Sequence, residues 1–445
     1  MSGKNTDSGT VVEPARVHEI LGHHMLVDGY PFVFDAKKSR GSYFIDAVTG
    51  RQYLDFFTFF ASGSVGHNHP GLLEKKFYSR LAEIAVNKPS NSDIYSVEMA
   101  EFVDTFSRVA VPESMPHLFF ISGGALAVEN ALKAAFDWKV QKNNMKGIKG
   151  DRGQKVIHFR DAFHGRTGYT MSMTNTDPAK IARFPKFDWP RIENPKIIFP
   201  LEDNIEEVEA AEKRAVEAIE RVLAQDGEDI AAIIIEPIQG EGGDNHFRPE
   251  FFKELRRIAD EKEVILIFDE VQTGVGITGK MWCHQHFGVE PDILAFGKKT
   301  QVCGIMSSDR INEVDSVFKV SSRINSTWGG NLVDMYRAKR IFEIIEEENM
   351  VDNAAKMGEI FQKHLVDLQA SKPDLLSSAR GRGLFCAIDL PDPVVRDKVI
   401  SVLAEDGLLA LKCGQRTVRF RPPLNVSKEE IDRAAEIIGK ALTKV

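Results

Sequence analysis

The stretch PDILAFGKKT, residues 291–300, carries a short apolar run into a glycine and two lysines, Lys298 and Lys299. A lysine at a strand edge is more commonly turned to water. One that does chemistry must shed its proton, which burial favours by penalising the charged form. Other apolar runs also end on reactive groups. HLFFIS delivers Gly123, Gly124 and Ala125 at the start of a helical pattern, and KVIHFR delivers the loop Phe163-His164-Gly165-Arg166. IAAIII delivers Glu236 and then Gln239-Gly240-Glu241-Gly242-Gly243, while VILIF delivers Asp269, Glu270 and Gln272. Ligands of open parallel sheets sit beyond the carboxyl ends of the strands. These five ends are therefore expected to be neighbours around one site.

Their chemistry is complementary. A glycine loop entering a helix offers free backbone N–H groups to a phosphate. A carboxylate can keep a ring nitrogen protonated, and a lysine can carry an aldehyde as a Schiff base. The combination fits pyridoxal 5'-phosphate. One rival uses the same region: VILIFDE reads like the Mg-binding strand of a nucleotide hydrolase, and GVGITGK (274–280) has the spacing of a phosphate loop. Against it, Met281 stands where a Mg-binding Ser or Thr is needed, and no apolar strand runs into Gly274. His67 and His69, and the cluster Cys283, His284 and His286, lack further ligands at structural-zinc spacing, so no metal is expected.

The elements that must hold these groups follow from periodicity. HLFFIS, KVIHFR, KIIFP, IAAIIIEP, VILIFDE and DILAFGK read as strands. Between them lie helical patterns: ALAVENALKAAFDWK, with Ala125, Val128, Leu132 and Phe136 at helical spacing, EEVEAAEKRAVEAIERVLA, and PEFFKELRRIADEKE with proline in its first turn. Strands alternating with helices predict an α/β layer with a mostly parallel sheet covered on both faces. After about residue 330, long helical patterns lead to GLFCAIDL and TVRFRPP and then to SKEEIDRAAEIIGKAL, where Ser427 and Glu430 have capping-box spacing. The expected division is an N-terminal segment 1–62 packing with a smaller α+β domain 331–445, and a large domain 63–330.

The composition, 445 residues with 43% hydrophobic, 27% charged and a net charge of -8, is that of a globular protein with no basic block for nucleic acid. No apolar run approaches the ~20 residues of a membrane helix. The polar start MSGKNTDSGTVVEPARV lacks a signal-peptide core, and the four irregularly spaced cysteines suit reduced thiols, so a cytoplasmic location is expected.

Taken in order, NKPSNSDIYSVEMA, FFISGGALAVENALKAAFDWK, AFHGRTGYT, ARFPKFDWPRI, EPIQGEGGDNHFRPEFF, FDEVQTG, AFGKKTQVCG, NSTWGGN and VRFRPPL resemble the class III (omega-amino) pyridoxal-phosphate aminotransferases over nearly the whole chain. Within that family the resemblance is to the branch that takes the terminal amine of L-lysine. It implies the type I fold of such enzymes and matches Lys298 to the Schiff-base lysine, leaving Lys299 with its ordinary outward reading. It matches Asp269 to the partner of the pyridinium nitrogen, Gln272 to a residue beside the cofactor's phenolic oxygen, and Phe163 to the aromatic over one ring face. Gly124 and Ala125 fall on the phosphate loop, where many relatives have a hydroxyl residue and this chain has GGA, so contacts there are expected mainly from backbone N–H groups. Ile277 likewise stands where an arginine is frequent. Thr327 matches a phosphate ligand given by a neighbouring subunit, which implies a homodimer with shared sites.

For substrates, the resemblance implies that Arg166 holds the distal carboxylate and that Arg419 receives the second carboxylate of 2-oxoglutarate. Glu241 is then the acid that covers Arg419 while L-lysine is bound. Asn325, in the loop of Thr327, joins the substrate set. The implied reaction is ε-amino transfer from L-lysine to 2-oxoglutarate, giving 2-aminoadipate 6-semialdehyde and L-glutamate. Ornithine, acetylornithine and 4-aminobutyrate are alternative donors.

Overall fold

The computed structural model describes residues 12–445. The first eleven positions of the expected N-terminal segment, including most of its polar start, lie outside the described residues. Two short strands, β1 (Tyr43–Ile45) and β2 (Gln52–Asp55), precede the main body. A seven-stranded sheet then collects β3 (His117–Ile121), β4 (Lys155–Phe159), β5 (Arg191–Ile192), β6 (Ile230–Ile235), β7 (Ile265–Asp269), β8 (Ile293–Phe296) and β9 (Cys303–Ser307), in the order β3-β9-β8-β7-β6-β4-β5. The last part of the chain supplies β10 (Ser377–Arg382), β11 (Phe385–Asp389), β12 (Leu408–Leu409), β13 (Leu411–Cys413) and β14 (Thr417–Phe420).

Alternation of side chains explains why these apolar runs are strands. Along β6, Ile233 and Ile235 enter one hydrophobic core while Ala232 and Ile234 enter the other. The pattern repeats in β7, with Leu266 and Phe268 against Ile265 and Ile267, and in β8, with Leu294 and Phe296 against Ile293 and Ala295. A strand apolar on both faces is stable only between two covering layers. One layer is the helix Gly124–Met145, which contributes Val128, Leu132 and Trp138. The other includes the helices Val97–Val109, through Phe102 and Phe106, and Pro249–Glu261, through Phe251, Phe252 and Leu255.

β4, β6, β7 and β8 are mutually parallel, so their carboxyl ends share one edge. β9 is antiparallel to both β8 and β3, which returns β3 to the common direction and brings Gly123–Gly124 to that edge. Two expectations need correction. The five strand ends are not all immediate neighbours, because β9 stands between β3 and β8. KIIFP forms no strand. Its place beside β4 is taken by Arg191–Ile192, and a single backbone bond, Ile197 N–H to His246 O at 2.8 Å, ties it to the main body. Pro195 and Pro200 bracket the run, and neither has an N–H to give to a ladder, which disfavours a strand there.

β12 pairs in parallel with β2, so the N-terminal strands and the C-terminal part of the chain share a three-stranded sheet. β10, β11, β14 and β13 form a separate antiparallel sheet. Packing on this region is the helix Lys428–Ala441, started by the expected Ser427–Glu430 capping box. The stretch 274–280 forms turns, with no strand entering it and no α-helix leaving it, so the phosphate-loop geometry of a nucleotide hydrolase is absent there. Among the described residues no helix is long and apolar enough to cross a membrane.

Candidate active site

At the carboxyl edge of the large sheet lies a cavity of about 380 Å³, lined by Gly124, Ala125, Phe163, Arg166, Asp269, Gln272 and Lys298. His164, Gly165, Glu236, Val271 and Cys303 complete its wall. Each position follows from a strand end. The helix Gly124–Met145 begins directly after β3 with no side chain capping its first turn, which leaves those N–H groups facing the cavity end. Gly165 has φ +119°, and a Cβ there would come within 2.4 Å of the Ala125 Cβ, so only glycine lets the loop after β4 approach the helix start.

Asp269 ends β7, buried and held on both oxygens: His164 Nδ1 lies 2.8 Å from Oδ2, and the Val271 N–H donates to Oδ1 at 3.1 Å. Glu236, at the end of β6, accepts from the Phe163 and Gly240 N–H groups at 2.8 and 3.3 Å. Burial, and then the neighbouring Asp269 carboxylate, push its pKa well above the ordinary carboxylate value.

Lys298 opens the short turn after β8 with φ +53° and faces the cavity. Burial, reinforced by the Arg419 guanidinium, lowers its pKa to about 8, so a substantial fraction of the amine is neutral near physiological pH. Lys299 departs from its outward reading. It is 1% exposed, and its Nζ donates to the backbone carbonyls of Gln272 at 2.7 Å and Ala61 at 3.2 Å. Burial depresses its pKa well below the ordinary lysine value. The two lysines thus point inward in different directions, one into the cavity and one into a carbonyl cage behind it.

Behind Gln272 lies an ion cluster. Arg419, on β14, donates from Nη2 to Glu241 Oε2 at 2.6 Å and from Nη1 to Gln272 Oε1 at 3.3 Å. Gly240 permits this approach, because a Cβ there would lie 2.4 Å from Gln272 Oε1. Burial raises the Glu241 pKa, but Arg419 and Lys180 outweigh it and the net shift is downward. Lys180, which the sequence reading did not single out, donates to Glu241 Oε1 at 2.5 Å and sits 5.4 Å from the Phe163 ring centroid. Its signal was long-range: nothing in DPAKIARF announces a partner 61 residues away.

Arg166 is exposed at the mouth and makes no ion pair among the described residues. Asn325 and Thr327 are not brought to this cavity; both are exposed, on a loop tied to Ser92 through the Ser326 carbonyl. Of the histidines weighed as metal ligands, three lie against carboxylates, His67 with Asp55, His69 with Glu348 and His284 with Glu270, and His286 lies against the Thr278 carbonyl at 3.0 Å.

The donor set suits pyridoxal phosphate. The cavity combines an uncapped helix start, a buried and doubly anchored carboxylate, an aromatic side chain and a lysine with a depressed pKa.

Comparison with known proteins supports the same chemistry. The family model described as aminotransferase class-III matches residues 25–442. The L-lysine-epsilon aminotransferase of Mycobacterium tuberculosis (strain ATCC 25618 / H37Rv) is 52% identical over 440 residues, covering 98% of this chain and 98% of that protein. The L-lysine-epsilon aminotransferase of Streptomyces clavuligerus is 51% identical over 432 residues, covering 96% and 94%. The solved structure of lysine aminotransferase from M. tuberculosis in the internal aldimine form aligns with TM-score 0.96 at 53% identity, covering 97% of this chain and all of that one.

Proposed function

This chain belongs to the class III aminotransferases, and we propose that it transfers the ε-amino group of L-lysine to 2-oxoglutarate, with 2-aminoadipate 6-semialdehyde and L-glutamate as products. The observation that carries this reading is the Glu241–Arg419 ion pair, 2.6 Å long, which meets the cavity that holds Lys298 through Gln272, a lining residue that accepts from Arg419. A diamino acid reacting through its terminal amine brings one carboxylate, and that lies at the distant end. Arg419 therefore needs an internal counterion, because a buried guanidinium without one costs several kcal/mol, about 3 or more. Arg166, exposed at the mouth, takes the distal carboxylate with its planar fork. 2-Oxoglutarate brings two carboxylates, so Arg166 and Arg419 each hold one, and Glu241 moves aside.

Pyridoxal phosphate, when bound, supplies an aldehyde carbon and an electron-withdrawing ring that lowers the acidity barrier at the donor carbon. Gly124, Ala125 and the partner subunit's loop around Thr327 would hold its phosphate, Asp269 its ring nitrogen, Gln272 its phenolic oxygen, and Phe163 one ring face. Lys298 Nζ would carry the cofactor and then, as the free amine, take the proton from the ε-carbon of L-lysine. His164 fixes the direction of the Asp269 carboxylate through their 2.8 Å contact. Exposure of Asn325 and Thr327 fits a homodimer in which they serve the neighbouring site. The reading extends to a cytoplasmic enzyme whose four cysteines stay reduced; all four are free and buried. It also keeps the division at 1–62, 63–330 and 331–445.

The test is a donor panel of L-lysine, L-ornithine, N-acetylornithine and 4-aminobutyrate against 2-oxoglutarate, scored by kcat/KM for glutamate release. L-Lysine is expected to lead by at least about tenfold, a margin of roughly 1.4 kcal/mol. A preference for ornithine or 4-aminobutyrate would defeat the donor assignment and leave the family intact.

A further inference from the structure

Glu241 is held by two cations rather than one. Arg419 takes Oε2 at 2.6 Å, and Lys180 takes Oε1 at 2.5 Å. The two partners differ in their freedom. Arg419 is 2% exposed and fixed in a strand, whereas the Lys180 side chain is 27% exposed, in the short turn Pro178–Lys180 that Asp177 caps. Lys180 also lies over Phe163, itself a lining residue of the cavity. Arg419 keeps its buried Nε without a partner among the described residues, so Glu241 and Gln272 do not use all of its donors.

Resting on the two-substrate reading above, we propose that Lys180 is a positioning residue for the Glu241 switch, retaining the carboxylate by Oε1 when a substrate carboxylate displaces Oε2 from Arg419. Without Lys180, the displaced Glu241 would become a largely buried anion with no cation beside it, and that cost would fall only on the half-reaction that uses the diacid. With L-lysine bound, Glu241 stays on Arg419 and the second cation matters little. The role is thus asymmetric between the two substrates, which a plain surface ion pair would not produce.

The experiment uses the holoenzyme and measures KM separately for L-lysine and 2-oxoglutarate in Lys180→Met, Lys180→Arg, Glu241→Gln and the Lys180→Met/Glu241→Gln double variant. Lys180→Met is expected to raise the KM for 2-oxoglutarate about tenfold and to move the KM for L-lysine by less than about twofold. Lys180→Arg, which keeps the cation, restores most of the loss. In the Glu241→Gln background, Lys180→Met adds little, because its effect passes through Glu241. Equal changes in both KM values would overturn the proposal, as would an unchanged KM for 2-oxoglutarate. A full Lys180→Met effect surviving in Glu241→Gln would also overturn it, since Lys180 would then act on the substrate directly. Each of these leaves the lysine reading standing, which the donor panel on wild-type enzyme tests separately.

Discussion

Arg419 and Arg421 sit two residues apart at the end of β14 and are both buried, yet their surroundings are opposite. Arg421 is locked. Its Nη2 donates to Asp244 at 2.5 Å, with both side chains at 0% exposure. Its Nη1 donates to the Phe420 carbonyl at 2.9 Å, its Nε reaches Gln272 at 3.3 Å, and its guanidinium stacks on Phe385 at 3.3 Å. Arg419 has one strong partner, Glu241, whose side chain is 25% exposed and shared with Lys180. The same residue type at the same strand end is thus a fixed support in one case and an exchangeable anion site in the other. What separates them is whether the counterion can leave without being stranded in a dry interior.

Breaking each pair should give different losses. Asp244→Ala leaves a fully buried guanidinium uncompensated and should cost about 3–5 kcal/mol of stability, read by denaturant unfolding. A loss below about 1 kcal/mol would mean that Arg421 is not a structural lock. Arg419→Met should lower kcat/KM for 2-oxoglutarate by roughly a hundredfold, about 2.7 kcal/mol, with a smaller stability loss than Asp244→Ala, because Glu241 keeps Lys180. An equal loss of stability in the two variants would erase the distinction. Glu241→Gln should reduce discrimination of L-lysine over glutamate-like donors by about tenfold, measured as a ratio of kcat/KM values; an unchanged ratio would remove Glu241 from the switch.

The smallest effect concerns pH. Burial raises the Glu241 pKa, but Arg419 and Lys180 bring it below the ordinary carboxylate value. A carboxylate with a depressed folded pKa contributes stability above its unfolded pKa and loses it as pH falls through the folded value. The Glu241–Arg419 pair therefore persists across neutral and alkaline pH, and donor discrimination should stay flat from about pH 6 to 9. A step in that window would show that another group controls the switch.

The strand-and-helix layering was legible because β6, β7 and β8 are apolar on both faces, and the site because open parallel sheets present their strand ends together. β9 was missed: CGIMS is short, contains a glycine and follows the lysine pair, so its local pattern is weak. In the fold Gly304 is required, since a Cβ there would meet the Phe119 carbonyl at 2.2 Å. KIIFP misled because β-branched residues suggested a strand that its flanking prolines prevent. Lys299 misled because burial of a lysine is rare and depends here on two backbone carbonyls contributed by distant turns. Lys180 was invisible for the same reason, a partner set by folding rather than by neighbours in sequence.

The most direct test of the account follows the nitrogen. Holoenzyme is incubated with 2-oxoglutarate and L-lysine carrying ¹⁵N at either the ε or the α position, and glutamate is analysed by mass spectrometry. Label is expected to enter glutamate from the ε position and not from the α position. Label arriving from the α position, or none from the ε position, would contradict it.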